Sequence, residues 1–303
     1  MMRRTCDFDD LQGWASDDLA RALAVFCVTA GDVPGWEALA ARAGAARDAR
    51  AFFEAEFTPV LIEDGAAPLF TGYYEPELRG SPVRTGDFTH PVHALPPDPA
   101  AHDRAAIVAG ALDGQGFEIA WLADAAEAFF LQVQGSGRIV MPDGSVLRVN
   151  YAGANGRPYR SIGRVLVARG LFAPQTVTAE GIKDWIRANP AEGRALMDLN
   201  PSYVFFRVLS GLAPQDGPLG CMGRPVTALR SVAVDPAVVP LGAPVWIEAG
   251  GMRRLMVAQD RGGAIRGAQR ADVFFGTGAA AGRAAGEFHH PGRMVVLLPR
   301  AVA

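Results

Sequence analysis

Val232-Ala233-Val234-Asp235-Pro236, Ala258-Gln259-Asp260-Arg261-Gly262-Gly263 and Ala271-Asp272-Val273-Phe274-Phe275-Gly276 are three stretches that each carry one aspartate in or beside an apolar run. Together with the apolar runs at 226–234, 244–248, 254–259 and 294–298, split by Gly, Pro and Asp turns at intervals of roughly ten residues, they predict a strand-rich C-terminal third, a barrel or a sandwich. Asp260 follows an apolar strand and precedes a Gly-Gly turn, which puts its carboxylate at a strand end where a cleft can form. Asp272 is wedged between Ala271 and Val273-Phe274-Phe275, a setting that raises a carboxyl pKa by desolvation. A carboxylic acid kept protonated near neutral pH is what general acid catalysis requires. Aspartates beside Gly or Pro also serve as turn and Asx-capping residues, so spacing alone leaves both readings open.

Working outward, residues 16–57 are expected to be helical, with Ser16 as a cap, Leu19, Leu23 and Phe26 on one face, and a second helix over 36–57. Strand and turn chemistry begins at Pro59 and continues through Gly72-Tyr73-Tyr74-Glu75-Pro76. Asp98-Pro99 predicts a helix start leading to about Leu112. Residues 129–133 are expected to form a strand ending in Gln134-Gly135-Ser136-Gly137, and 138–141 with 146–149 a hairpin around Pro142-Asp143-Gly144-Ser145. Helices are expected over 161–171 and after 178, and Asn189-Pro190-Ala191-Glu192 has a capping-box pattern.

The whole chain has 303 residues, which favours two domains, and half of them are hydrophobic, which excludes global disorder. Lys plus Arg is 29 against 32 Asp plus Glu, so no global basic field exists to hold nucleic acid. Cys6, Cys27 and Cys221 have neither zinc-ribbon nor disulfide-scaffold spacing. The longest apolar run, residues 22–30, is too short to cross a bilayer. No apolar segment follows Arg3 and Arg4, so a signal peptide is not visible and the chain is expected to be cytoplasmic unless a leader precedes it. Neither GxGxxG nor a P-loop lies between a strand and a helix, Ser136 lacks the GxSxG spacing, and adjacent His289 and His290 would point to opposite faces of a strand. No EF-hand spacing is present, and neither a metal nor a cofactor is expected. Tyr73, Tyr74, Gln132, Gln134, Tyr151, Asn155 and Tyr159 suit a polysaccharide groove, with rings to stack on sugars and amides to bond hydroxyls; core tyrosines are the alternative.

These motifs also carry a resemblance. Phe70-Thr71-Gly72-Tyr73-Tyr74-Glu75-Pro76, Leu131-Gln132-Val133-Gln134-Gly135-Ser136-Gly137, Tyr151-Ala152-Gly153-Ala154-Asn155-Gly156, Asn200-Pro201-Ser202-Tyr203-Val204-Phe205-Phe206 and the three aspartate stretches resemble, in order over about residues 55–300, the membrane-bound lytic murein transglycosylase A family with its three-aspartate (3D) domain. The resemblance implies a mainly β protein with flanking helices. A double-psi β-barrel catalytic domain would comprise 1–76 and 207–303, and an inserted β-barrel substrate domain 77–206, with a groove between them. It implies cleavage of the β-1,4 bond between N-acetylmuramic acid and N-acetylglucosamine with formation of a 1,6-anhydromuramoyl end. Asp272 would be the acid and then the base, Asp260 a supporting group, and Asp235 mainly structural. Tyr73, Tyr74, Glu75, Gln132, Gln134, Ser136, Tyr151 and Asn155 would bind substrate. The expected partner is a peptidoglycan glycan strand, handled by a monomer, with cell-wall synthesis or division proteins as further candidates. The resemblance places the chain in the periplasm at the outer membrane, although Cys6 follows Arg-Arg-Thr rather than a lipobox. A non-catalytic glycan-binding or wall-loosening protein and a murein hydrolase are the alternatives.

Overall fold

The computed structural model describes residues 1–173 and 176–300, so the last three residues of the 207–303 segment lie outside the described residues. In chain order, β1 (Met2–Thr5) precedes three helices, α1 (Leu19–Thr29), α2 (Glu37–Ala45) and α3 (Ala49–Glu56), and strands β2 (Phe57–Glu63) and β3 (Leu69–Glu75). Then come β4 (Glu77–Ser81), β5 (His90–His93), α4 (Arg104–Ala106), β6 (Glu118–Leu122), α5 (Ala125–Gln134), β7 (Ser136–Val140) and β8 (Val146–Ala154). Helices α6 (Ile162–Ala168), α7 (Ala179–Ala188) and α8 (Pro190–Asp198) lead to β9 (Val204–Leu209). The remainder is β10 (Ser231–Ala233), β11 (Pro244–Ala249), β12 (Met252–Asp260), β13 (Arg270–Thr277), α9 (Gly278–Glu287), β14 (His289–His290) and β15 (Gly292–Pro299).

The chain divides into two compact units. The first comprises Met1–Tyr74, Gln215–Gly276 and the chain from Ala281 onward; the second comprises Glu75–Pro214 with Thr277–Ala280. Strands of the first unit form a nine-stranded sheet in the order β1-β2-β15-β11-β12-β10-β13-β3-β14. Its middle is apolar on both faces, which explains why the sequence shows continuous apolar runs rather than alternation. On β11, Trp246 joins a core with Phe26, Phe53 and Phe57 from the helical segment, while Val245 and Ile247 join Met256, Val273 and Met294 on the other side. In the second unit β5-β6-β4-β7-β8-β9 form a six-stranded sheet. No ladder joins its edge strands among the described residues, but a single parallel bridge between Ala94 and Phe206 brings the β5 and β9 edges together. A separate helical core of Phe129, Ile162, Leu166, Ile186 and Leu196 belongs to the same unit.

Several local expectations change. Asp18 rather than Ser16 caps α1, accepting from the Arg21 N–H at 3.0 Å. The 36–57 helix is two helices, because Asp48 turns extended and caps α3 through the Ala51 N–H. The helix expected from Asp98 starts at Arg104, capped by Asp103, and passes into a π-helical turn over Ile107–Ala111. The 129–133 segment is helix α5, not strand. Asp124 accepts from the N–H groups of Ala126 and Glu127, and Gly135 ends the helix at φ 78°, the left-handed conformation that glycine supplies without cost from a Cβ. Only Ser231–Ala233 of the 226–234 run is strand. Leu229 sits at φ 59° and donates its N–H to the Phe274 carbonyl, so the preceding residues wrap as a turn.

Candidate active site

Strand alternation in the first unit sorts side chains by function. On β13, Ala271 and Val273 enter the sheet core, which leaves Asp272 and Phe274 on the opposite face. On β3, Phe70 enters that same core, leaving Thr71 and Tyr73 on the face of Asp272. Gly72 between them is required by close approach: a Cβ there would lie 2.7 Å from the Phe275 ring and 2.8 Å from the Ala285 backbone. Tyr73, Phe274, Ala233, Val226 and Ile265 form a small apolar cluster that walls this face.

The short central strand β10 brings the two acids together. It pairs in parallel with β12 and antiparallel with β13, and Ala233 stands opposite Asp260 on one side and Asp272 on the other. Two strand spacings separate their backbones, roughly 10 Å. Each carboxyl is then held by a hydroxyl of β3. The Thr71 Oγ1 donates to Asp272 Oδ1 at 2.6 Å, and the Tyr73 hydroxyl donates to Asp260 Oδ2 at 2.9 Å. Asp260 Oδ1 also accepts the N–H groups of Cys221 and Arg261, at 3.0 and 2.9 Å. Asp272 Oδ2 has no protein partner among the described residues.

Burial raises the Asp272 carboxyl above the ordinary carboxylate range, opposed by the Thr71 hydrogen bond and the charge of Arg270. Asp260 is also raised, first by burial, against its three hydrogen bonds, and the charge of Asp272 adds to the rise. Burial is the largest cause of the rise at both carboxyls, and the like charge between them belongs to the pair. Tyr73 is pushed well above the usual phenol range by burial and then by Asp260, so it is a permanent donor.

Asp235 behaves differently. Its carboxylate accepts from the N–H groups of Gly267 and Ala237, at 2.9 and 3.1 Å, and lies 3.5 Å from the Arg266 guanidinium. The Gly267 hydrogen bond is the largest cause of a lowered pKa. It ties the turn after β10 to the loop before β13, and among the described residues Asp235 bonds neither of the other aspartates.

The residues that sequence reasoning assigned to substrate binding separate into two groups. Glu75, Gln132 and Asn155 are occupied internally. Glu75 is 1% exposed and accepts from Arg138, Thr277 and Arg148 at 2.8, 2.8 and 3.0 Å. Gln132 accepts from Arg104 and from the Val204 N–H. Asn155 donates to the carbonyls of His102 and Pro201 and accepts the Tyr203 N–H. Ser136 is buried at the start of β7, and Gln134 ends α5. Tyr74 packs where a Cβ on Gly282 of α9 would lie, 2.8 Å from its ring. Tyr151, on β8, is 47% exposed and presents a free aromatic surface. Thr71 and the Cys221 N–H were missed; period-two spacing from Tyr73 was the available signal for Thr71. Among the described residues no three His, Cys, Asp or Glu side chains gather as a metal site, and no helix is long and apolar enough to cross a membrane.

A family model described as the MltA specific insert domain matches residues 69–103 and 99–207, and the 3D domain model matches 230–298. The membrane-bound lytic murein transglycosylase A of Vibrio cholerae is 38% identical over 242 residues, 75% of this chain and 64% of the relative. The chain thus spans a little under two thirds of the length of the curated relatives it matches. The crystal structure of a membrane-bound lytic murein transglycosylase from Agrobacterium tumefaciens superposes with a TM-score of 0.89 at 30% identity, covering 99% of this chain and 98% of that one. Escherichia coli MltA with bound chitohexaose gives 0.79 at 31% identity, covering 93% and 90%. Two domain models in the family's order and a fold shared over nearly the whole length show that this chain belongs to the MltA family of membrane-bound lytic murein transglycosylases.

Proposed function

We propose that the chain is a peptidoglycan lytic transglycosylase in which Asp272 acts alone as acid and then base. The observation that carries this reading is the uneven occupancy of the three carboxyls. Asp235 and Asp260 have both oxygens engaged by protein donors, whereas Asp272 keeps Oδ2 open among the described residues. Hydrolytic glycosidases use two carboxyls, one of them free to attack or to activate water. Three donors on Asp260 leave it poorly suited to that task.

One carboxyl suffices when the nucleophile belongs to the substrate. Asp272 donates its proton to the glycosidic oxygen as the bond from that oxygen to the muramoyl C1 breaks, and N-acetylglucosamine leaves with a free hydroxyl. The C6 hydroxyl oxygen of the same muramoyl residue then bonds to C1 and returns its proton to Asp272. Atoms balance without water, and the intramolecular attack carries a high effective concentration. The relative with bound chitohexaose supports an amino-sugar polymer as the ligand class. Asp260, held by Tyr73, would support the site through that hydrogen bond, and Tyr151 offers a stacking surface. The first unit would be the catalytic domain and the second the substrate domain. The relatives' names, which read membrane-bound, support a membrane-associated site of action, and a murein substrate would place it in the periplasm.

Mass spectrometry of digested sacculi tests this reading, because an anhydro end is lighter than a reducing end by one water. Reducing muramic acid would instead make the protein a hydrolase, and binding without release would make it a non-catalytic glycan protein. Cleavage should also persist in excess EDTA, since the scheme uses one carboxyl and no chelating cluster among the described residues. Loss of cleavage with chelator and its return with calcium or zinc would overturn the metal-free scheme.

A further inference from the structure

We propose that Thr71 is a positioning residue for Asp272: its hydroxyl fixes Oδ1 as an acceptor and so directs the acidic proton to Oδ2, the oxygen left open for substrate. This deepens the reading of Asp272 as the acid and rests on it. Thr71 has one hydroxyl proton, and Asp272 Oδ1, 2.6 Å away, is the acceptor it meets. Two arrangements exist when Asp272 is protonated. With the proton on Oδ1, that oxygen donates to Thr71, and the Thr71 proton loses its acceptor. With the proton on Oδ2, the Thr71 bond persists and the acid proton sits on the oxygen that no protein group among the described residues holds. The second keeps every donor on this face bonded or open to substrate. It also leaves the Thr71 bond in place through both halves of the reaction, strengthening as the carboxylate forms, because a hydrogen bond to a charged acceptor is the stronger kind.

The strands around Asp272 limit what else could set its proton. Arg270 lies two residues before it on β13, and its guanidinium is partly held by the carbonyls of Leu69 and Ala271. On β3 the titratable neighbour is Tyr73. His289 of β14 stands opposite Thr71 in the ladder, and β10 contributes Ser231, Val232 and Ala233, three residues without a carboxyl, imidazole or amine. Asp260 ends β12, with Cys221 and Arg261 bonded to it through their backbone N–H groups. Among the described residues, Thr71 is the one of these groups that hydrogen-bonds the Asp272 carboxyl.

The test compares wild type, Thr71→Ser and Thr71→Val in saturating-substrate rate measurements across pH, together with a carbon-13 titration of the Asp272 carboxyl identified by its loss in Asp272→Asn. Removing the donor destabilises the ionised form, so in Thr71→Val both the carboxyl titration and the alkaline limb should move to higher pH by about one unit. kcat should fall about tenfold because the proton is no longer directed, with KM changed less than about twofold. Thr71→Ser should keep the wild-type limb and most of kcat. If the valine variant folds poorly, the serine and alanine variants carry the same comparison. An unmoved titration in Thr71→Val, or a serine variant as impaired as valine, would overturn the inference. Full activity in Asp272→Asn would sink the acid assignment instead, and the titration would still report whether Thr71 holds that carboxyl.

Discussion

Asp272→Asn should stop release of soluble muropeptides, with a fall of at least ~10²-fold in rate, the usual cost of losing a general acid. The substitution is close to isosteric, and the amide oxygen can still accept from Thr71. Folding should survive it for a further reason. A carboxyl whose folded pKa is raised stabilises the fold most when protonated, below its unfolded value of about 3.9, and that contribution is lost as pH rises through the folded pKa. Above that point the native Asp272 is a buried charge, which an amide is not. The variant should therefore match or exceed the wild-type thermal midpoint at neutral pH while binding glycan strands normally. Measuring muropeptide release and thermal unfolding on the same preparation separates the two effects. A rate within tenfold of wild type would remove Asp272 from the chemistry, whereas a collapsed midpoint would mean that its charge is part of the fold. Asp235→Asn gives the contrasting outcome, because its lowered pKa marks a carboxylate that the native state prefers ionised. Its contribution is present above the unfolded value and is lost as pH falls through the folded one.

Reading the chain without its fold succeeds where burial alone decides the outcome. Strands β2, β11, β12 and β15 are visible because apolar side chains fill both faces of that sheet, and no alternative element suits such short runs flanked by turns. The 129–133 segment fails for an instructive reason. Phe129, Phe130, Leu131 and Val133 favour a strand by propensity, yet Asp124 caps the segment and Ala126, Phe129 and Phe130 recur at helical spacing on a buried face. Tertiary packing against Ile162, Ile186 and Leu196 then overrides propensity. The face that carries Asp260 and Asp272 was only half legible. Asp260 and Asp272 are twelve residues apart in sequence, but what aligns them is the placement of β10 between their strands, a long-range order that no local pattern encodes. The internal partners of the amides were hidden for a related reason. Gln132 and Asn155 look like sugar ligands in the sequence, but a buried amide must bond, and here Arg104, Tyr203 and the carbonyls of His102 and Pro201 take up that capacity.

Glu75→Ala should destabilise the second unit by about 3–5 kcal/mol, the range for breaking a buried ion pair from one side. Glu75 is nearly inaccessible, and its partners Arg138 and Arg148 have side chains only 14% and 10% exposed. Removing the carboxylate leaves two guanidinium groups close together in a low-dielectric setting, with Thr277 losing its acceptor as well. That penalty is a large part of the total stability of an ordinary domain. Hydrogen exchange measured by mass spectrometry locates the effect: amides of β7 and β8, which carry the two arginines, should lose protection, whereas β11 and β12 of the first unit should keep theirs. Adding Arg148→Met to Glu75→Ala should recover part of the loss by removing one of the two like charges. The opposing view is that Glu75 binds substrate, as its place beside Tyr73 and Tyr74 suggested. On that view Glu75→Ala leaves exchange unchanged and raises KM, and Arg148→Met adds damage rather than relieving it. The sign of that second substitution is what distinguishes a carboxylate that neutralises its own fold from one held ready for a ligand.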